Sequence, residues 1–307
     1  MQRVLWKNTG IIRGGLSVYV QFIMFPENCH ILGIYKRIEW WYNEENRART
    51  RFIFCDKESK TMQWGSFGIV HISTLVIAAA LIVGVYFLLK HLPERVRYFS
   101  ILALSFSGIV AILYNLIAWG SPLEYLPFHM CSILAIMLPI TVLTRSRYMG
   151  NLLLVWCLGS LLALIINHAS GHFIIPSAAF FIYYIPHVFE FGVVIYLFKF
   201  GYVKKDYRCI PVTVGATVVI YTIVHLINMA LTRYVEAHEI VDYAGNLLTF
   251  NYMFSMTPDN PVLALFWKVI PHAYWYMYCA VVVLVVYLVV LYLPQIIRAI
   301  KDKKNAK

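Results

Sequence analysis

Seven apolar runs, each on the scale of a lipid bilayer, constrain this chain more than any other feature of its sequence. They lie at about 67–89, 98–119, 127–142, 149–166, 178–200, 210–231 and 272–293. A helix needs roughly 20 apolar residues to cross the ~30 Å hydrocarbon core. Inside that core every backbone N–H and C=O must be paired within the chain, which a helix does by itself. The pattern therefore predicts an all-α polytopic membrane bundle of about seven transmembrane helices, a multi-pass protein of the cell membrane. Composition agrees: 61% of residues are hydrophobic, 13% are charged, and the mean hydropathy is +0.69. A soluble domain is nearer 45–50% apolar and about 25% charged.

Charge sets the orientation. Of the loops between the runs, one alternating set, with the C-terminal tail, carries 14 Lys and Arg, from Lys90, Arg95 and Arg97 through to Lys307. The opposite set carries only Arg233 and Lys268. The positive-inside rule then predicts a cytoplasmic C-terminus and, with seven spans, an outer face just before the first helix. The net charge of +11 reads as this cytoplasmic bias. No basic stripe interleaves with exposed aromatics, so no nucleic-acid partner is expected. Residues 1–61 hold 10 basic and 6 acidic residues, which is out of place on the outer side of a first span. Two regions are expected: 1–61 as an N-terminal extension outside the fold, and 62–307 as the transmembrane domain.

Six cysteines form no CxxC pair, so neither a disulfide framework nor a Cys-rich zinc site is indicated. Intramembrane polar residues are costly and usually face the bundle interior. Here they crowd into the outer half: His71, Asn115, His129, Cys131, Asn167, His168, His172, His187, Glu190, His225, Asn228, Asn251 and His272. Each alone reads as a hydrogen-bond partner for a neighbouring helix. Together, drawn from at least five helices, they predict a polar cavity opening toward the outer leaflet.

Within that set Cys131 stands in the first turns of the third run, where the helix dipole and free N–H groups favour a thiolate and could bind an oxyanion. A nucleophilic thiol needs a base. His129, two residues away, is about 200° round the helix and points elsewhere. His187, embedded beside Pro186, is the better candidate. Glu190 shares its face and could either orient the imidazole or stand as a neutral buried carboxyl.

The stretches Leu126-Pro127-Phe128-His129-Met130-Cys131, Phe180-Phe181-Ile182-Tyr183-Tyr184-Ile185-Pro186-His187, Asn228, and Asn251-Tyr252-Met253-Phe254 carry a family likeness. The chain resembles the YwaF family of bacterial integral membrane proteins and, more remotely, the eukaryotic transmembrane protein 164 group. The resemblance runs from about Trp64 to Tyr292. It implies a cysteine acyltransferase that remodels phospholipid acyl chains, with Cys131 as nucleophile and His187 as base. His129, Asn228 and Asn251 would line the site, with Glu190, His225 and Tyr252 around them. The reaction expected is transfer of an acyl group from a membrane phospholipid to a lysophospholipid, or to water, through a thioester, without a metal or other cofactor. The depth of Cys131 points to an outer-leaflet phospholipid, not acyl-CoA, as donor. Two other readings stay open. One is a zinc-dependent lipid hydrolase using His168 and His172 with His187, Glu190 or His272, weakened by the intervening Gly171. The other is a small-molecule transporter or sensor using the same cavity, although no inverted repeat is evident.

Overall fold

A computed structural model of the protein describes residues 62–65, 67–118, 122–166, 173–241, 246–259 and 261–305. The expectation for residues 1–61 falls outside the described residues. The described chain runs β1 (Met62–Gln63), α1 (Ile69–His91), α2 (Glu94–Ser105), α3 (Ser107–Ala118), α4 (Met130–Thr144), α5 (Arg147–Ile166), β2 (Ile174–Ile175), α6 (Ala178–Lys199), α7 (Ile210–His238), α8 (Pro261–Val269) and α9 (Tyr278–Asn305). The only sheet among these residues is the two-residue antiparallel pair of β1 with β2, in register Met62 to Ile175 and Gln63 to Ile174. The protein is an all-α polytopic membrane protein, and six of its helical stretches are long and apolar enough to cross a membrane.

The helices differ from the apolar runs in three instructive places. The second run is two helices, α2 and α3, broken at Phe106, where Ser105 turns its hydroxyl onto the Leu102 carbonyl at 2.6 Å. Ser and Gly residues flank the break, a common cause of a helix discontinuity. The third run becomes α4, a helix of only 15 residues, which spans about 22 Å at 1.5 Å per residue. That is short of the ~30 Å core, and α4 is not among the six stretches long enough to cross a membrane. The last run passes through Pro294 and continues to Asn305. Pro294 leaves the Val290 carbonyl, one turn earlier, without its helical partner.

Burial ranks the helices. Half of the most apolar window of α5 and 44% of that of α6 are buried, against 11% in α1 and α9. The paired α5 and α6 form the centre, and Leu153, Trp156, Val193, Val194, Tyr196 and Leu197 pack with Leu134 and Leu138 of α4. The outer faces of α1 and α9 show Val76, Val83, Val282, Val286 and Val290, surface suited to lipid.

One end of the bundle is closed by Trp64, which is fully buried. Its indole donates to Thr74 Oγ1 at 2.9 Å and packs edge-on against His71 and Phe180. His71 is consumed there. Its Nε2 donates to the Leu164 carbonyl at 2.7 Å, and its Nδ1 accepts from the Phe67 N–H at 2.9 Å. With both nitrogens paired, His71 holds α1 to α5. Trp64 and His71 are thus part of the packed bundle.

Candidate functional site

The expected polar residues fall into two clusters that meet at the start of α4. His129 is the N-cap residue of α4, in extended backbone with no capping side-chain bond. The first-turn N–H groups of a helix have no partner within it. Cys131 stands in that first turn beside Ser132, and Glu190 lies within electrostatic reach of its thiol. Cys131 is partly buried and unpaired.

α6 carries the other half of this cluster. His187 Nδ1 lies 2.6 Å from the Tyr183 carbonyl. A carbonyl only accepts, so Nδ1 carries the proton and Nε2 of the neutral ring is left with its lone pair. The ring is further held by Tyr183, stacked on it at 4.3 Å. Tyr183 itself donates to the Ala163 carbonyl at 3.1 Å and lies within electrostatic reach of Cys131. Tyr183 thus stacks on the imidazole and lies within electrostatic reach of the thiol.

Glu190 departs from one of the roles open to it. The group that orients His187 is the Tyr183 carbonyl, four residues back on the same helix, and not the Glu190 carboxyl. Glu190 is buried and accepts from Ser160 Oγ of α5 at 2.6 Å. It sits where α3, α4, α5 and α6 converge. A Cβ added to Gly108 would stand 2.7 Å from Glu190 Oε1 and overlap the Ala135 Cβ. Glu190 lies within electrostatic reach of Cys131, so its field is felt at the thiol without a bond to the imidazole.

The second cluster is a loop held against the mouth of α4. Asn228 of α7 is fully buried. Its Oδ1 accepts from the Tyr252 N–H at 3.1 Å, and its Nδ2 donates to the Tyr252 carbonyl at 2.9 Å and to Ser255 Oγ at 2.8 Å. His225, one turn earlier, reaches the same Ser255 hydroxyl at 3.0 Å. The clamped loop is strained: Met253 and Phe254 have φ of 52° and 55°, a region that costs non-glycine residues about 1–2 kcal/mol each. Tyr252 donates its hydroxyl to the Leu123 carbonyl, and Tyr276 donates to the Phe254 carbonyl. Asn251 braces the far side, accepting from the Met256 and Thr257 N–H groups at 2.9 and 3.2 Å. His129 packs onto this loop, edge-on to Tyr252 at 5.1 Å and tilted against Phe254 at 5.9 Å.

Asn228, Asn251, Tyr252 and His225 therefore shape a wall, with Asn228, Asn251 and Tyr252 bonded to backbone and His225 to the Ser255 hydroxyl. His168 and His172 lie outside the described residues. Among the described residues no group of three or more His, Cys, Asp or Glu is placed to share a metal ion. His272, the other ligand considered, is exposed. Sequence reasoning passed over Tyr183, Ser132 and Ser160. The sole signal for them was the spacing of Tyr183 and Ser132 from His187 and Cys131.

Fold and site together define a multi-pass helical membrane protein with an embedded polar cluster at the start of a short helix. The TMEM164 family matches residues 66–292, about three quarters of the chain, and the protein belongs to that family. No curated protein and no solved structure matches it.

Proposed function

We propose that this protein is a cysteine-dependent phospholipid acyltransferase of the cell membrane, in the bacterial YwaF branch of its family, with its C-terminus cytoplasmic and its site toward the outer leaflet. Cys131 is the nucleophile and His187 the base. The observation that supports this reading is Tyr183, which stacks on a His187 whose Nδ1 is fixed by the Tyr183 carbonyl and which lies within electrostatic reach of Cys131 in the first turn of α4.

The chemistry follows from those atoms. His187 Nε2 takes the thiol proton, and Cys131 Sγ attacks the ester carbonyl carbon of a membrane phospholipid. The oxyanion that forms is stabilised by N–H donors at the start of α4. The ester C–O bond breaks, the lysophospholipid oxygen leaves with the proton from His187, and a thioester remains on Cys131. A second lysophospholipid hydroxyl gives its proton to His187 and attacks the thioester, which restores the thiol and completes an exchange between two esters. Water in place of the second lysolipid gives hydrolysis. A lipid reaches the site laterally, whereas acyl-CoA is an anion that cannot cross the hydrocarbon core to it. TMEM164 family membership and the membrane helices support a lipid-related role.

The test is purified protein in lipid nanodiscs with a labelled lysophospholipid and no acyl-CoA. Wild type acylates the label, and Cys131→Ala does not. Transfer that appears only when acyl-CoA is added overturns the donor assignment. Transfer that survives Cys131→Ala overturns the nucleophile.

A further inference from the structure

The end of the bundle that carries the basic loops has a hollow of about 620 Å³ between α5, α6 and α9, within the ~300–1,000 Å³ of small-molecule sites. Leu154, Ile195 and Phe198 form an apolar floor, and Lys199, Lys204 and Lys205 stand at its rim. None of these lysines is neutralised. The one salt bridge among the described residues joins Arg147 to Asp206 at 3.3 Å, and the Asp206 Oδ1 is taken by the Arg208 N–H.

The lysines are not spent on the helix end either. The last carbonyls of α6 are capped by backbone: Phe200, Gly201 and Val203 donate to Tyr196, Phe198 and Leu197. Gly201 makes this turn with φ of 76°, a conformation that glycine adopts without strain. The basic loop that follows is pinned from two helices. Buried Asn151 of α5 donates to the Lys204 carbonyl at 3.1 Å and accepts from the Asp206 N–H at 3.2 Å. Gln295 of α9 donates to the Lys205 carbonyl at 3.0 Å and accepts from the Tyr207 N–H at 3.1 Å. Lys204 and Lys205 are thus held on a pinned loop, beside Lys199 at the end of α6, next to an apolar floor.

We infer that this hollow binds an anionic phospholipid, its phosphate among Lys199, Lys204 and Lys205 and the start of its acyl chains on Leu154, Ile195 and Phe198. The floor calls for a lipid and not for a free phosphate, which would need polar donors beneath it. The site stands at the opposite end of α6 from the N-terminal half that carries Tyr183 and His187, and the inference does not depend on Cys131.

The test titrates the full chain, delipidated in neutral detergent, with phosphatidylglycerol, phosphatidylcholine or glycerol 3-phosphate, and counts bound molecules by native mass spectrometry. Wild type binds phosphatidylglycerol more tightly than phosphatidylcholine. Each lysine near an anionic headgroup contributes about a factor of five, so Lys199→Gln, Lys204→Gln and Lys205→Gln together weaken phosphatidylglycerol on the order of 100-fold. The three corresponding Lys→Arg changes keep it, as does the same charge removal in the tail by Lys301→Gln, Lys303→Gln and Lys304→Gln. Equal binding of the two lipids to wild type, or equal loss in the tail variant, overturns the inference. Glycerol 3-phosphate displacing phosphatidylglycerol at matched concentration also overturns it, in favour of a soluble anion.

Discussion

Replacing Asn228 by Ala is the perturbation that most sharply separates a wall residue from a catalytic one. The side chain makes three hydrogen bonds, two to the Tyr252 backbone and one to Ser255. Hydrogen bonds between membrane helices average about 0.6 kcal/mol, which sets a floor near 2 kcal/mol. The truncation also strands a buried N–H and a buried C=O of Tyr252, each costing about 1–3 kcal/mol if nothing replaces the partner. Relaxation of the left-handed Met253–Phe254 pair returns part of that cost, about 1–2 kcal/mol per residue. The net expectation is a loss of about 2–4 kcal/mol. For a domain of this size that is a fall in Tm of about 4–16 °C, at about 2–4 °C per kcal/mol. Thermal unfolding in detergent micelles measures it. Because His129 rests on the freed loop and is two residues from Cys131, labelling of Cys131 by a thiol reagent should change in the same variant below its melting point. An Asn228→Ala protein that melts within 1 °C of wild type with unchanged labelling would refute the clamp.

Three further outcomes follow. Gly108→Ala should destabilise by about 1–3 kcal/mol, because the new Cβ meets Ala135 and Glu190 at a helix junction. Gly159→Ala should cost less than about 1 kcal/mol, since its new Cβ meets only the terminal methyl of Met130, and melting curves compare the two. Glu190→Gln keeps an acceptor for Ser160, and the Tyr183 carbonyl still orients His187, so acyl transfer should stay within about threefold of wild type. A fall of a thousandfold would restore the carboxylate to a triad role. A reporter fused at the C-terminus should be active only if it works in the cytoplasm, and activity only on the outer side would reverse the topology.

Much of the architecture was legible because hydropathy reports burial in lipid directly. The apolar runs locate α1, α5, α6, α7 and α9, and the depth of the polar residues singles out Cys131 and His187 as candidates. The rest was hidden because it depends on contacts between distant segments. Asn228 reads as a candidate site residue until its partners at Tyr252 and Ser255, more than 20 residues away, show that its amide is spent on backbone. Glu190 shares a helix face with His187, yet its bond goes across to Ser160 on α5, and no spacing within α6 signals that. The shortness of α4 was legible, because its apolar run covers only 127–142. What the run did not show is where the helix starts: Pro127 to His129 precede it, and His129, in extended backbone, packs on the loop that Asn228 holds.

The central claim is a thioester on Cys131, and it can be weighed directly. Wild-type protein in nanodiscs of a single defined phospholipid is quenched in acid, digested and examined by mass spectrometry. The account predicts one acyl chain, matching that phospholipid, on the peptide containing Cys131, released by neutral hydroxylamine and strongly reduced in His187→Ala. Sustained lysophospholipid acylation with no adduct on that peptide, or with the adduct on another cysteine, would contradict it.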